Sequence, residues 1–163
     1  MAGFTLIELL VVLVITGILV AALTLAIGDN GARELENASD RFQALLGHAC
    51  NEAELGGREI GATLDDHGFA FKHLEGTVWR DFDRDGELRP RRWPQGARVE
   101  LAREGRPVRL AANPTDAPQL VCFSSGELTP FTLTLMLGDP PVRYRVQGED
   151  DGRTKRTRLD AQR

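Results

Sequence analysis

The sequence predicts an α+β protein in which a long amino-terminal helix packs on an antiparallel β-sheet domain. Three observations support this fold class: an apolar run over residues 4–27, a helical pattern of apolar residues after it, and strand-sized runs from Arg58 onward. The 163 residues supply one domain of ordinary size besides the apolar run.

The apolar run contains 24 residues and a single charge, Glu8. Because a helix rises about 1.5 Å per residue, the run would be about 36 Å long, enough to cross a hydrocarbon core of about 30 Å. We therefore predict a transmembrane helix over residues 4–27. A signal peptide would have a basic start and a shorter apolar region, and an ordinary signal anchor would not explain a carboxylate that costs on the order of 3 kcal/mol near the bilayer centre.

The first residues carry a specific sequence motif. The stretch Gly3-Phe4-Thr5-Leu6-Ile7-Glu8, followed by the apolar helix, resembles the amino terminus of type IV pilin-like proteins. The resemblance implies a pilin-like fold and a leader peptide of residues 1–3. It also implies cleavage between Gly3 and Phe4 by a membrane peptidase, N-methylation of Phe4, and a role for Glu8 in assembly. Leaders of that family usually carry basic residues, which Met1-Ala2-Gly3 lacks.

Helical periodicity resumes after the apolar run, which predicts a half-buried helix over residues 28–57. Gly28 and Gly31 mark at most a flexible joint, and Gly56-Gly57 supplies the stop expected at a helix C-terminus. The apolar positions step by three and four: Leu35, Ala38, Phe42, Leu45, Leu46, Ala49, Cys50 and Ala53. A polar face is predicted to look to solvent or to a neighbouring subunit: Glu36, Asp40, Gln43 and Glu52.

Residues 58–163 are predicted to form an antiparallel β domain, because short runs alternate with turn signals. The expected strands are Glu59–Leu64, Phe69–Leu74, Thr77–Phe82, Arg98–Leu101, Pro107–Leu110, Gln119–Phe123, Phe131–Leu137, Val142–Gln147 and Thr154–Leu159. The run Phe131–Leu137 alternates apolar and polar residues, so one side of that strand should pack on the helix or on a second sheet.

The stretch Phe123–Phe131 and the strand after it are similar to the H-type minor pseudopilins of type II secretion. That resemblance implies a non-enzymatic structural subunit near the tip of a periplasmic pseudopilus that supports protein export. It implies a single-pass protein of the inner membrane with its C-terminal domain in the periplasm. The implied partners are other minor and major pseudopilins in a fibre, the prepilin peptidase and the inner-membrane secretion platform, without a cofactor. Cys50 and Cys122 fit either a periplasmic disulfide or two buried thiols.

Two other functions stay open at this point. A minor pilin of a type IV pilus, acting in pilus assembly or DNA uptake, would have almost the same sequence features. A membrane-anchored periplasmic module that binds a ligand or calcium is the second alternative, and it would not require amino-terminal processing.

A calcium loop is the weaker interpretation of the acidic turn at Asp81, Asp83 and Asp85. Oxygen ligands at alternate positions followed by a glycine resemble the start of such a loop. Arg92, however, stands where the bidentate glutamate would be needed. A hairpin turn with local ion pairs is therefore favoured, and no other metal site is expected.

The composition argues against nucleic-acid binding and catalysis. The net charge is −4 and the pI about 5.4, which leaves no basic footprint for nucleic acid. Trp79 and Trp93 lie among five arginines, whose positive charge is nearly balanced by four acidic residues. This stretch is predicted to be a surface loop that is available to a partner subunit. Ser124-Ser125-Gly126 lacks the nucleophile-elbow pattern, so we predict that the protein is not an enzyme.

Overall fold

The structure is a computed structural model that describes residues 5–110 and 117–159, without the side chains of residues 20–29. One helix, α1, spans Leu6–Gly56 and contains 51 residues. It runs through Gly28 and Gly31 without interruption. It ends where Gly57 adopts the left-handed conformation with φ of 60°, and the Gly57 N–H donates to the carbonyl of Ala53. The predicted stop is therefore confirmed.

Within the described residues, ten strands follow the helix and form two five-stranded antiparallel sheets. They are β1 (Ile60–Leu64), β2 (Gly68–Glu75), β3 (Val78–Asp81), β4 (Arg91–Arg92), β5 (Arg98–Arg103), β6 (Arg106–Val108), β7 (Leu120–Cys122), β8 (Phe131–Leu137), β9 (Val142–Gly148) and β10 (Thr154–Leu159). The first sheet has the order β3-β2-β1-β7, with β4 also paired to β2. The second has the order β10-β9-β8-β5-β6. All nine predicted strands are present, and β4 is a strand that the sequence did not predict.

The outer half of α1 lies across both sheets and supplies one wall of the core. Its buried positions include Leu35, Phe42, Leu46, Ala49 and Ala53, which follow the predicted three-and-four spacing. Strand β8 buries alternate residues, as predicted. The predicted α+β fold class is confirmed.

Phe42 is the point at which the helix and both sheets meet. Its ring lies 5.0 Å from that of Phe69 on β2 and 6.1 Å from that of Phe131 on β8, both edge-on. Trp93 packs on the same ring at 5.8 Å and is only 6% exposed, and its indole N–H donates to the carbonyl of Asp65. The prediction of a surface loop is therefore wrong at Trp93, because the aromatic core takes up this side chain.

A disulfide joins the helix to the first sheet. Cys50 on α1 and Cys122 on β7 are bonded, with their Cα atoms 4.9 Å apart. The sequence left this disulfide and two free thiols as alternatives, and the structure has the disulfide. The bond lies near the carboxyl end of the helix, so it fixes that end to the sheet.

Candidate assembly surface

The amino-terminal part of α1 projects a continuous apolar surface. Every side chain from Thr5 to Leu19 is exposed, and Leu6 and Ile7 are 88% and 72% exposed. An apolar patch of this extent marks a contact with lipid or with other protein chains. The remainder of the predicted span, Phe4 and the side chains of residues 20–27, lies outside the described residues. Among the side chains that the structure describes, no helical stretch is long and apolar enough to cross a membrane.

Glu8 lies in the first turn of α1. The helix begins after Thr5, whose backbone is extended and whose carbonyl accepts from the N–H groups of Glu8 and Leu9 at 3.1 and 3.3 Å. A carboxylate in the first turn interacts favourably with the positive end of the helix dipole. The Glu8 side chain is exposed, like its apolar neighbours. The predicted processing site at Gly3 and Phe4 lies outside the described residues.

The polar face of the outer helix contacts strand β10, where the sequence favoured solvent. Arg156 of β10 forms ion pairs with Glu36 and Asp40 of α1. The side-chain amide of Gln43 donates to the carbonyl of Thr154 at 3.1 Å. These contacts join residues more than a hundred positions apart, and they hold the second sheet against the helix.

Tyr144 lies beneath this polar contact. The Arg156 guanidinium lies 5.1 Å from the centre of its ring, a cation–π geometry. Burial raises the pKa of the Tyr144 hydroxyl above its ordinary value, and the nearby Glu36 carboxylate raises it further. The tyrosine therefore favours its neutral form in the folded protein.

The turn over residues 123–131 joins the two sheets. Gly126 has φ of 90°, and its N–H donates to the carbonyl of Phe123 at 3.0 Å. The N–H of Leu128 donates to the carbonyl of Asp150, in the turn between β9 and β10, at 3.0 Å. A Cβ atom on Gly152 would lie 2.7 Å from the carbonyl oxygen of Gly126, so glycine is needed for this approach. The stretch is thus a structural connection between sheets.

The acidic turn that resembled a calcium loop forms an ion pair at its first residue, Asp81. Asp81 lies 3.6 Å from the ammonium of Lys72, and Asp83 accepts the N–H of Gly86 through its carbonyl. Within residues 5–110 and 117–159, no group of three His, Cys, Asp or Glu residues is arranged to hold a metal ion.

The long helix packed on antiparallel sheets defines the chain as a pilin-like α+β subunit. Residues 38–152 match the family described as Type II transport protein GspH, and residues 1–24 match the prokaryotic N-terminal methylation motif. The chain belongs to the GspH family.

Relatives and solved structures agree with this assignment. The type II secretion system protein H of Aeromonas hydrophila is 32% identical over 94% of this chain and 92% of its own length. The protein of the same name from Pseudomonas aeruginosa is 34% identical over 96% of this chain and 95% of its own length. The minor pseudopilin EpsH of Vibrio cholerae has the same fold with a TM-score of 0.66 and 24% identity, over 80% of this chain and 98% of that chain. Escherichia coli GspH aligns with a TM-score of 0.61 and 19% identity, over 78% of this chain and 89% of that chain.

Proposed function

We propose that this chain is a minor pseudopilin, a structural subunit of the type II secretion pseudopilus near its tip. The observation that carries the proposal is a helix of 51 residues whose side chains from Leu6 to Leu19 are exposed and mostly apolar, while its outer half packs on two sheets. Such a chain can pack its amino half among other helices while the sheets stay folded. It acts without catalysis and associates with other minor and major pseudopilins, the secretion platform and the prepilin peptidase.

The protein spans the inner membrane once, through residues 4–27, before it enters the fibre, and its carboxyl domain lies in the periplasm. A pseudopilin that carries the methylation motif is anchored in the membrane and has a periplasmic domain, and the apolar run is long enough to span. The single-pass orientation is testable by labelling an introduced cysteine at exposed Ser125 from the periplasmic side.

Processing occurs between Gly3 and Phe4, and Phe4 becomes methylated. Intact-mass measurement of the membrane-extracted chain should show the loss of residues 1–3 and the addition of one methyl group. An unprocessed amino terminus in cells that contain the peptidase would contradict the proposal. A Gly3→Val variant is the control, because its side chain should block cleavage while membrane insertion continues.

Glu8 sets the register of the subunit in the fibre. Glu8 follows Phe4 by four residues in the sequence, so the amine of one subunit can meet Glu8 of its neighbour. At about 4 Å and an effective dielectric constant near 20, the attraction is on the order of 4 kcal/mol before desolvation. This is comparable to what the carboxylate costs in the membrane.

The Glu8→Gln variant tests this role, because it removes the charge and keeps the shape. We expect normal cleavage and insertion, weaker cross-linking to sibling subunits, and reduced secretion. Thr16→Val is the matched control: the Thr16 hydroxyl donates to the carbonyl of Val12 within the helix, so its loss changes no charge. Normal recruitment and secretion with Glu8→Gln would refute the register role.

A further inference from the structure

The outer side of the second sheet carries four cations that form no ion pair with the acidic side chains of residues 5–110 and 117–159. Arg143 on β9 and Arg98 on β5 lie in one cross-strand row on either side of Met136. Arg145 lies two residues further along β9. Lys155 lies on β10, opposite Gln147 of β9. We name Arg98, Arg143, Arg145 and Lys155 the basic face.

These four side chains share one side of the sheet because alternate strand residues point in opposite directions. Tyr144 and Val146, which alternate with the arginines of β9, are fully buried against the helix. The basic face therefore points away from α1. Neighbouring strands are about 4.8 Å apart, so the arginines of β9 and β5 lie about 10 Å from each other across β8.

The charge on this face is unbalanced in a chain whose net charge is −4. Glu100, opposite Thr134, is the only acidic residue in the described outer rows of β5, β8, β9 and β10. Outside these rows, Asp139 lines a depression with Arg98 and Arg143, and Glu104 and Glu149 line one with Lys155. In the part of the chain that the structure describes, none of the four cations forms an ion pair. By contrast, Arg156, on the opposite side of β10, is paired with Glu36 and Asp40. On β10 the inward Arg156 is therefore paired, whereas the outward cations form no ion pair among the described residues.

Arg145 is the least exposed of the four cations. Its Nε atom is shielded from solvent and has no hydrogen-bond partner among the described residues. Its cross-strand neighbours are Thr134 and Thr157. A carboxylate brought by a partner would bond the terminal nitrogens of the guanidinium and would not reach the shielded Nε atom.

We propose that the basic face docks an acidic surface of a neighbouring protein subunit in the fibre. The inference rests on the proposed function for the kind of partner and adds which side of this chain the partner occupies. Arginine favours planar, paired hydrogen bonds to carboxylates, which gives the contact a fixed orientation. Nucleic acid is the poorer match, because base stacking needs aromatic side chains and the described outer rows of the sheet contain none.

Carbodiimide coupling in intact cells tests the contact directly, because it joins a lysine amine to a carboxylate without a spacer. The sequence contains two lysines, and Lys72 is largely buried beside Asp81, whereas Lys155 is exposed on the basic face. We expect an adduct between the full chain and another fibre subunit, mapped by mass spectrometry to Lys155. Lys155→Arg should abolish the adduct, since it keeps the charge and removes the reactive amine.

Charge reversal separates docking from mere reactivity. Arg143→Glu with Arg145→Glu should lower the adduct at least tenfold although Lys155 is still present, and it should reduce secretion. Arg84→Glu with Arg92→Glu, two exposed arginines outside the second sheet, is the matched control and should change neither. If the reversed protein does not accumulate, the neutral pair Arg143→Gln with Arg145→Gln should lower the adduct by a smaller factor.

An undiminished adduct in the reversed or the neutral variant would overturn the inference. A second pair of results would also overturn it: no Lys155 adduct forms, and the detergent-solubilised chain binds phosphatidylglycerol vesicles through the basic face. The charge reversal would then abolish the vesicle binding, and the occupant of the face would be lipid. Failure of the proposed function gives a different result: the wild-type chain would not restore secretion to a strain that lacks it.

Discussion

Reduction of the disulfide between Cys50 and Cys122 should destabilise the folded domain strongly. The bond closes a loop with a sequence separation of 72 residues. The chain-entropy relation for a loop of this length predicts a loss of about 4.4 kcal/mol in the free energy of unfolding at 25 °C. That is a large share of the 5 to 15 kcal/mol that holds a typical domain together. The cause is the greater freedom of the unfolded chain once the cross-link is removed.

Urea unfolding of the detergent-solubilised chain, with and without a phosphine reductant, measures this loss. Trp93 is buried between Phe42 and Phe69, so its fluorescence reports the opening of the core. With a denaturant slope of about 2 kcal/mol/M, the midpoint should fall by about 2 M on reduction. The double variant Cys50→Ala with Cys122→Ala is the control and should not respond to the reductant.

A midpoint that moves by less than about 0.5 M would refute this reasoning, since the loss would then be below about 1 kcal/mol. It would mean that the unfolded chain keeps the carboxyl end of the helix near β7 without the covalent bond. A residual contact of that kind in the denatured state removes the entropic advantage of a cross-link.

Two further predictions concern the contacts of the helix with the sheets. Phe42→Ala should lower the free energy of unfolding by about 3 to 5 kcal/mol, because it opens a cavity among three aromatic rings. Leu55→Ala is the control, since Leu55 is a helix residue that is 89% exposed. In the same urea titration it should change the free energy of unfolding by less than about 0.5 kcal/mol. The pKa of Tyr144 is raised by burial, so its contribution to stability is fully present below the unfolded pKa of about 10 and is lost as the pH rises further. Tyr144→Phe should therefore make thermal stability fall less steeply above pH 10, and an unchanged slope would contradict the assignment.

Most of the fold could be predicted from the sequence because its signals are local. The three-and-four spacing of apolar residues predicted the buried side of the helix. The alternation of apolar and polar residues in Phe131–Leu137 predicted which side of strand β8 faces the core. Strand β4 could not be predicted in this way. It consists of Arg91 and Arg92 alone, between a proline and Trp93, and it exists through pairing with Gly68 and Phe69 of β2. Two residues are too few for any period to be visible.

The contacts that hold the second sheet against the helix were the least predictable. Glu36, Asp40 and Gln43 look like a solvated face in the sequence, because their partners on β10 are more than a hundred residues away. The motif around Glu8 was found because its residues are contiguous. The basic face has no such signal: its four cations come from three separate strands, and only the strand register brings them to one side.

The arrangement of these contacts explains how motion of the amino-terminal helix could reach the sheets. A helix of 51 residues is about 75 Å long, and no break interrupts it at the two glycines. Its outer half is held at three levels: by Arg156 near Glu36 and Asp40, by the aromatic cluster at Phe42, and by the disulfide at Cys50. These levels involve both sheets, so a displacement of the helix along its axis must carry the whole domain with it. Under the proposed function, this coupling would let the apolar half leave the lipid for the fibre and bring the basic face to the next subunit.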